Sequence, residues 1–306
     1  MTVAVLAMAY GTPPSPDQVE AYYTHIRRGR APSSAQLIEL QARYAAIGGV
    51  SPLREITLAQ LGALEAALRQ AGRDDLRVAL GFKHAAPFIE DSVGELVREG
   101  VERIVGVVFA PHFSALSIGE YTERVRAAAP ERVAVSVVRD WHLAPPYLGL
   151  LSDSVRVVLA NLPPQLQAGT QVLFTAHSLP ARILESDDPY PTQLRETAAA
   201  IAESLQLERW GIAWQSAGRT PEPWVGPDLL DVLNELAQHG VRAVVVCPAG
   251  FVADHLEVLY DLDIEARARA QALGIEFART ASPNASPRLA DAVAGAVLSE
   301  LAAVGS

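Results

Sequence analysis

The stretch QVLFTAHSLP, Gln171 to Pro180, answers AVLAMAYGTP, Ala4 to Pro13: each is an apolar run ending in a ring side chain and a turn closed by proline. The likeness extends to a second pair, GFKHAAP from Gly81 and AWQSAGRTP from Ala213. Working outward from these runs, strand-like segments fall at about residues 3–10, 76–83, 103–110, 133–141, 170–177, 210–216, 243–251 and 275–280. Between them lie helical patterns such as Leu61, Leu64 and Leu68, or Leu229, Leu233 and Leu236. Apolar strands alternating with helices indicate parallel sheets covered on both faces. About 65 residues separate the first two strands and about 30 the later ones, which suits open sheets with an insertion better than a closed barrel.

The expected fold is α/β: two similar Rossmann-like domains with parallel four-stranded sheets, facing a central cleft. The first spans residues 1–149 and the second 150–282, joined through a helix from Pro146 to Asn161 and the linker LPPQLQAG. A closing helix over about 283–306, with Leu289, Val293, Val297 and Leu301, is expected to pack back onto the first domain.

Composition narrows the function. Half of the 306 residues are apolar and a fifth charged, as in a soluble globular chain with a sizeable core. No apolar run reaches the roughly 18 residues of a membrane span, and MTVAVLAMAYGTPP lacks the positive start of a secretory signal. A cytoplasmic protein without an integral membrane segment is expected, and a monomer, since no long apolar stripe is left over for a partner. The net charge of −10 argues against a nucleic-acid partner. A single cysteine, Cys247, excludes an internal disulfide or a four-cysteine cluster, and its setting in VVVCPA is that of a buried strand residue.

The residues able to do chemistry gather at strand C-terminal ends: Tyr10, His84, His112, His177 and the loop leading to Glu257. In open α/β sheets, ligands bind at that edge. GFVADHLEVLYDLDIEAR, Gly250 to Arg267, reads as a helix carrying Glu257, Asp261 and Glu265 at i, i+4 and i+8, on one face. Like charges at that spacing cost a few tenths of a kcal/mol per pair, so the acidic ladder calls for a purpose, and a path for cations or protons is one. His177 with Glu257 would make an imidazole and carboxylate pair, able to take a proton near neutral pH or to hold a divalent metal loosely. His84 stands at an equivalent strand end, as a neighbour of the site or as packing; His255 reads as capping or packing. The phenol of Tyr10 could stack on or ligate something flat. In YYTHIRRGR, Tyr22 to Arg30, the arginines Arg27, Arg28 and Arg30 suit a carboxylate or phosphate clamp. Arg43 beside Tyr44 is equally a packing device. The chain has neither GxGxxG nor GxxxxGK, which removes the usual support for nucleotide binding, and no G-x-S-x-G elbow for a serine hydrolase.

Taken in order, the blocks YGTP, YYTHIRRGR, RYAAIGGVSPL, GFKHAAPFIED, APHFS, FTAHSLP, DPYPTQL, QSAGRTPEPWVGPDL and GFVADHLEVLYD resemble the ferrochelatases, which insert ferrous iron into a porphyrin. The match runs nearly the whole length, and is most similar to the short, soluble form of Gram-positive bacteria that acts on coproporphyrin III. The resemblance implies a chelatase-like fold and a lyase-class metal chelatase of haem biosynthesis. Fe2+ would be a substrate, with no permanently bound cofactor. Porphyrin and iron would be its partners, with transient contacts to neighbouring haem-pathway enzymes. By the same resemblance His177 and Glu257 correspond to the catalytic pair that handles iron and protons, and Tyr10 to the axial contact on the opposite face of the macrocycle. Arg27, Arg43, Tyr44, Ser51 and Tyr121 match positions that hold the porphyrin and its propionates. Asp261 and Glu265 match an acidic row leading away, and His84 a position beside the site. Leu262 stands where close relatives often carry a polar residue. Three other readings stay open: a protoporphyrin IX ferrochelatase; a cobalt or nickel chelatase, which usually offers paired histidines where this chain has His177 with Glu257; and a porphyrin or haem carrier without catalysis.

Overall fold

A computed structural model describes residues 2–218 and 220–303. Arg219 of the QSAGRTPEPWVGPDL block and the expected end of the closing helix at 304–306 lie outside the described residues. The described chain forms two four-stranded parallel sheets. The first holds β1 (Val3–Ala9), β2 (Arg77–Phe82), β3 (Arg103–Val108) and β4 (Ala134–Val137) in the order β2-β1-β3-β4. The second holds β5 (Gln171–His177), β6 (Trp210–Gln215), β7 (Ala243–Cys247) and β8 (Glu276–Arg279) in the order β6-β5-β7-β8. The repeated order accounts for the likeness of AVLAMAYGTP and QVLFTAHSLP, since both are central strands buried along almost their whole length. Burial on both faces is why these strands read as continuous apolar runs without alternation.

The long insertion between β1 and β2 is helical: α1 (Val19–Ile26), α2 (Ser34–Ala46) and α3 (Leu53–Gln70). Ser33 starts α2 with a reciprocal cap, its hydroxyl accepting from the Gln36 N–H while the Gln36 side chain accepts from the Ser33 N–H. Beside the first sheet lie also α4 (Ile89–Arg98) and α5 (Glu120–Ala128). Helix α6 (Pro145–Asn161), which the expected boundary at 149/150 would cut, leads from the first sheet to the second. Helices α7 (Pro164–Gln167), α8 (Tyr190–Leu205), α9 (Leu229–Gln238) and α10 (Arg267–Ala272) accompany the second sheet, and α11 (Pro287–Ala303) closes the described chain.

Helix α11 packs against α3 and β3 of the first domain and against α6, with Leu289, Val293 and Val297 fully enclosed. Side chains of α6, α8 and α11 join the inner faces of both sheets into one continuous apolar core, so the halves are fused by packing as well as by the chain. Smaller cores cover the outer faces under α4 and α5 on one side and α9 and α10 on the other. Cys247 is buried in β7, and burial pushes its thiol up to about 12, which leaves it inert. Among the described residues no helix is long and apolar enough to cross a membrane.

Candidate functional site

Both central strands deliver their last residues to one cleft of about 1130 Å³ between the sheets. Tyr10, just beyond β1, and His177, at the end of β5, both line it. So do Tyr22, Leu40 and Tyr44 from the helical insertion, which therefore forms part of the wall.

The stretch after β7 departs from the expected uninterrupted helix. Its first helical residue is Leu256, and Val258–Ala266 is a π-helix that runs into α10. The residues before Leu256 are spent crossing the end of β5: the Gly250 N–H donates to the Thr175 carbonyl at 2.9 Å, and the Asp254 N–H to the Asn284 side chain at 2.8 Å. Only glycine fits that crossing, because a Cβ at position 250 would stand 2.4 Å from the Ala176 Cβ. The crossing brings Glu257 to His177. Within the π-helix the i→i+5 bonding widens each turn, which keeps residues four apart in line. One such row, Val258, Leu262 and Ala266, faces the core; the neighbouring row is Glu257, Asp261 and Glu265. Leu262 is fully buried in the apolar row and takes no part in the acidic one.

His177 Nε2 lies 3.4 Å from Glu257 Oε1, and His177 Nδ1 donates to the Ser178 carbonyl. The other carboxylate oxygen faces His255 Nε2, also at 3.4 Å. Burial pulls the His177 imidazole down, but the charge and hydrogen bond of Glu257, with help from the Ser178 carbonyl and Asp261, outweigh it and raise the ring to about 9. Burial likewise raises Glu257, and is overcome by the charge and hydrogen bond of His177 and then by His255, which hold the carboxyl well below its usual range. The resting pair is an imidazolium and a carboxylate, so His177 is not a free base until it gives up a proton. His255 does cap, its Nδ1 sharing a hydrogen bond of 2.9 Å with the Ala253 carbonyl, but its other nitrogen belongs to the site, which the sequence reading missed. The signal was its position two residues before Glu257, on a segment that is not helical there.

Asp261 is buried behind the cleft wall and fully engaged: Ser216 donates to one oxygen, and Arg43 of α2 lies 3.3 Å from the other. Burial raises this carboxyl, the Ser216 hydrogen bond lowers it, Glu257 raises it again, and the balance stands at about 6. Arg43 also covers the Tyr260 ring at 4.6 Å and lies 3.6 Å from Glu39 one turn back on α2, so it links the helical insertion to the stretch after β7. Glu265 follows one turn on, half-buried.

The opposite wall is built on the first sheet. Past the strand ends the pairing of β1 and β2 continues, with the His84 N–H donating to the Tyr10 carbonyl at 2.9 Å, and this sets the two rings 4.6 Å apart. Tyr10 turns 43% of its surface into the cleft. Its phenol is held well above its ordinary value by loss of bulk water around it, then by the Glu257 charge. His84 shares a 3.0 Å contact between Nδ1 atoms with His25. Burial, then the charges of Lys83, His25 and Arg124, lower its ring to about 3, so it stays neutral. Gly11 is in the left-handed region at φ 90, and a Cβ there would meet Ala85 at 2.9 Å. The glycine after Tyr10 thus serves the fit between two protein segments.

Tyr44 shares a hydroxyl contact of 3.4 Å with Thr12, and burial pushes its phenol to about 12 despite that bond. Ser51 accepts from the Leu53 N–H at the start of α3, and Tyr121 lies under the Lys83 ammonium; both line the cleft. Arg27 and Arg43, unlike the other expected propionate contacts, are not among the residues that line the cleft: the Arg27 guanidinium donates to the Arg30 carbonyl and lies 5.6 Å from the Tyr23 ring centroid, while its neighbour Arg28 lines the wall. Of the three arginines expected to form a clamp Arg28 lines the cleft, and Lys83, Arg124, Tyr190 and Trp224 are lining residues that sequence reasoning did not single out. Lys83 had the readable signal, directly before His84 at a strand end. His112 reaches the cleft but spends its Nε2 on Thr197 of α8 at 2.9 Å, tying the first domain to the second. Among the described residues no group of three or more His, Cys, Asp or Glu side chains is arranged to hold a metal ion.

Against known proteins, the family described as Ferrochelatase matches residues 2–301. The coproporphyrin III ferrochelatase of Geobacillus kaustophilus (strain HTA426) is 43% identical over 308 residues, covering 99% of this chain and 98% of the relative. That of Bacillus subtilis (strain 168) is 42% identical over 304 residues, covering 98% of each. Among solved structures, the sirohydrochlorin chelatase SirB from Bacillus subtilis subspecies spizizenii, in complex with cobalt, superposes with a TM-score of 0.62 at 13% identity, covering 100% of this chain and 98% of that one. CbiX, a terminal enzyme of sirohaem biosynthesis in denitrifying bacteria, gives 0.55 at 14% identity, covering 97% and 98%. At such identities the two structures establish the chelatase fold alone.

Proposed function

The chain belongs to the ferrochelatase family, and from that premise we propose that it inserts ferrous iron into coproporphyrin III, with His177 and Glu257 managing the protons. The observation that carries the reading is the His177 and Glu257 contact of 3.4 Å at a cleft shared with Tyr10 from the other sheet. The names of the full-length relatives support coproporphyrin III over protoporphyrin IX. The cleft wall also carries three cations, Arg28 and Lys83 paired with Glu120 and Arg124 paired with Glu90, which a ring with four propionates could reach by displacing those partners.

Insertion exchanges two pyrrole protons for one divalent ion, and a flat ring keeps its nitrogen lone pairs in the plane. Walls from two domains can hold the ring bent, so that binding energy turns lone pairs toward the incoming ion. His177 begins as an imidazolium. The ferrous ion, arriving beside Glu257, takes over the role of counter-ion and favours loss of the imidazole proton to solvent. The neutral Nε2 then accepts one pyrrole proton as a nitrogen to iron bond forms, passes it to solvent, and accepts the second as insertion completes, each imidazolium being stabilised by Glu257. An imidazole and a carboxylate hold iron loosely enough for release, whereas a closed cage would retain it. For iron to use the acidic row from Glu265 through Asp261, Arg43 has to release Asp261.

The test is turnover with Fe2+ and three rings: coproporphyrin III, protoporphyrin IX and sirohydrochlorin. Coproporphyrin III is expected to give the highest kcat/KM. Turnover confined to sirohydrochlorin would overturn the assignment, and tight porphyrin binding without turnover would point to a carrier.

A further inference from the structure

Lys83 lines the cleft with 11% of its side chain exposed, and its ammonium lies between the Glu120 carboxylate and the face of Tyr121, 5.1 Å from the ring centroid. The second oxygen of Glu120 faces Arg28 at 3.5 Å. Arg28 is 85% exposed and held at φ 55, a conformation uncommon for a residue with a side chain. Glu120 therefore bridges one enclosed and one open cation, both in the cleft wall.

For a site that receives carboxylates this is a costly arrangement, because a fixed negative charge in the wall repels the substrate's own. An enclosed ammonium with no counter-ion is costly too. Both costs disappear if the two carboxylates take turns. On the reading that the substrate is a porphyrin bearing propionates, we propose that Glu120 is a displaceable counter-ion: it neutralises Lys83 in the empty cleft and yields Lys83 to a substrate propionate while Arg28 retains it. Glu120 is then a specificity-determining residue that acts through Lys83. A ring without a carboxylate at that edge cannot dislodge it.

The test is a binding titration of the full chain with coproporphyrin III, without iron, followed by porphyrin absorbance. Glu120→Gln keeps an acceptor for Lys83 and removes the competing charge; its Kd is expected to fall roughly three- to tenfold. Glu123→Gln, at another cleft-lining carboxylate, controls for the overall loss of charge and is expected to give less than half that gain. In a Lys83→Gln background the gain from Glu120→Gln is expected to vanish, and with the tetramethyl ester of coproporphyrin it is expected to be absent. An unchanged or higher Kd in Glu120→Gln, an equal gain in Glu123→Gln, or a gain that survives Lys83→Gln each overturns the exchange. If the unaltered chain fails to bind coproporphyrin III, the substrate reading itself falls; binding without a gain in Glu120→Gln removes the exchange alone.

Discussion

Replacing Glu257 by Gln removes one charge with almost no change in shape, and the outcome is set by the opposing effects on His177. Burial depresses the imidazole, and the Glu257 charge and hydrogen bond are the main reason it stands near 9. Without them the ring should titrate at or below its ordinary value of about 6.5, a difference worth a few kcal/mol between its two protonation states in the absence of screening. Both side chains are about a third exposed to the cleft, so screening reduces this to about 1–2 kcal/mol of stability. The sign follows from linkage. His177, raised in the folded state, contributes stability below about 6.5 that is lost as pH rises through about 9. Glu257, depressed in the folded state, contributes stability above its unfolded value of about 4.5 that is lost as pH falls. Denaturant midpoints of the unaltered chain and of Glu257→Gln should therefore differ most between about pH 5 and 6.5, narrow steadily as pH rises, and converge above about pH 9.5. Imidazole NMR should show the His177 titration moving below pH 7, and iron insertion should be lost. A His177 titration still near 9 in Glu257→Gln, or a stability gap that persists at high pH, would refute the ion pair as the resting state.

His177→Ala should abolish insertion while coproporphyrin still binds by absorbance; near-normal turnover would remove the proton-handling role. Arg27→Ala should raise the porphyrin KM more than it lowers kcat if Arg27 reaches a propionate once the ring is bound, and an unchanged KM would take it out of the propionate site. Gly250→Ala forces the segment after β7 away from Ala176, at a cost of about 1–3 kcal/mol by overpacking, and should lower Tm by several degrees along with kcat. A Tm and kcat equal to those of the unaltered chain would mean that the crossing relaxes freely.

The site was legible where chemistry and strand ends coincide. His177 and Tyr10 each follow an apolar run, so period and punctuation alone placed them at the ligand-binding edge. Glu257 was found through its spacing to Asp261 and Glu265, yet the reason given for that spacing was incomplete. The acidic row is compensated from across the molecule, by Arg43 on Asp261, a partner 218 positions away. No window of sequence shows such a pair. The uninterrupted helix expected from Gly250 fails for a similar reason, since its first turn is replaced by hydrogen bonds to Thr175 and Asn284.

The amino-acid sequence alone determined the eight strands, their division into two sets of four and the side chains able to do chemistry, because hydrophobic period and turn residues act over a few positions. Tertiary structure decided how those side chains are charged and paired. The imidazolium of His177, the neutral ring of His84 and the Lys83, Glu120 and Arg28 bridge each arise where separate elements exclude water and bring distant charges within a few ångströms. Electrostatic energies depend on distance and solvent access, and neither is encoded in neighbouring residues.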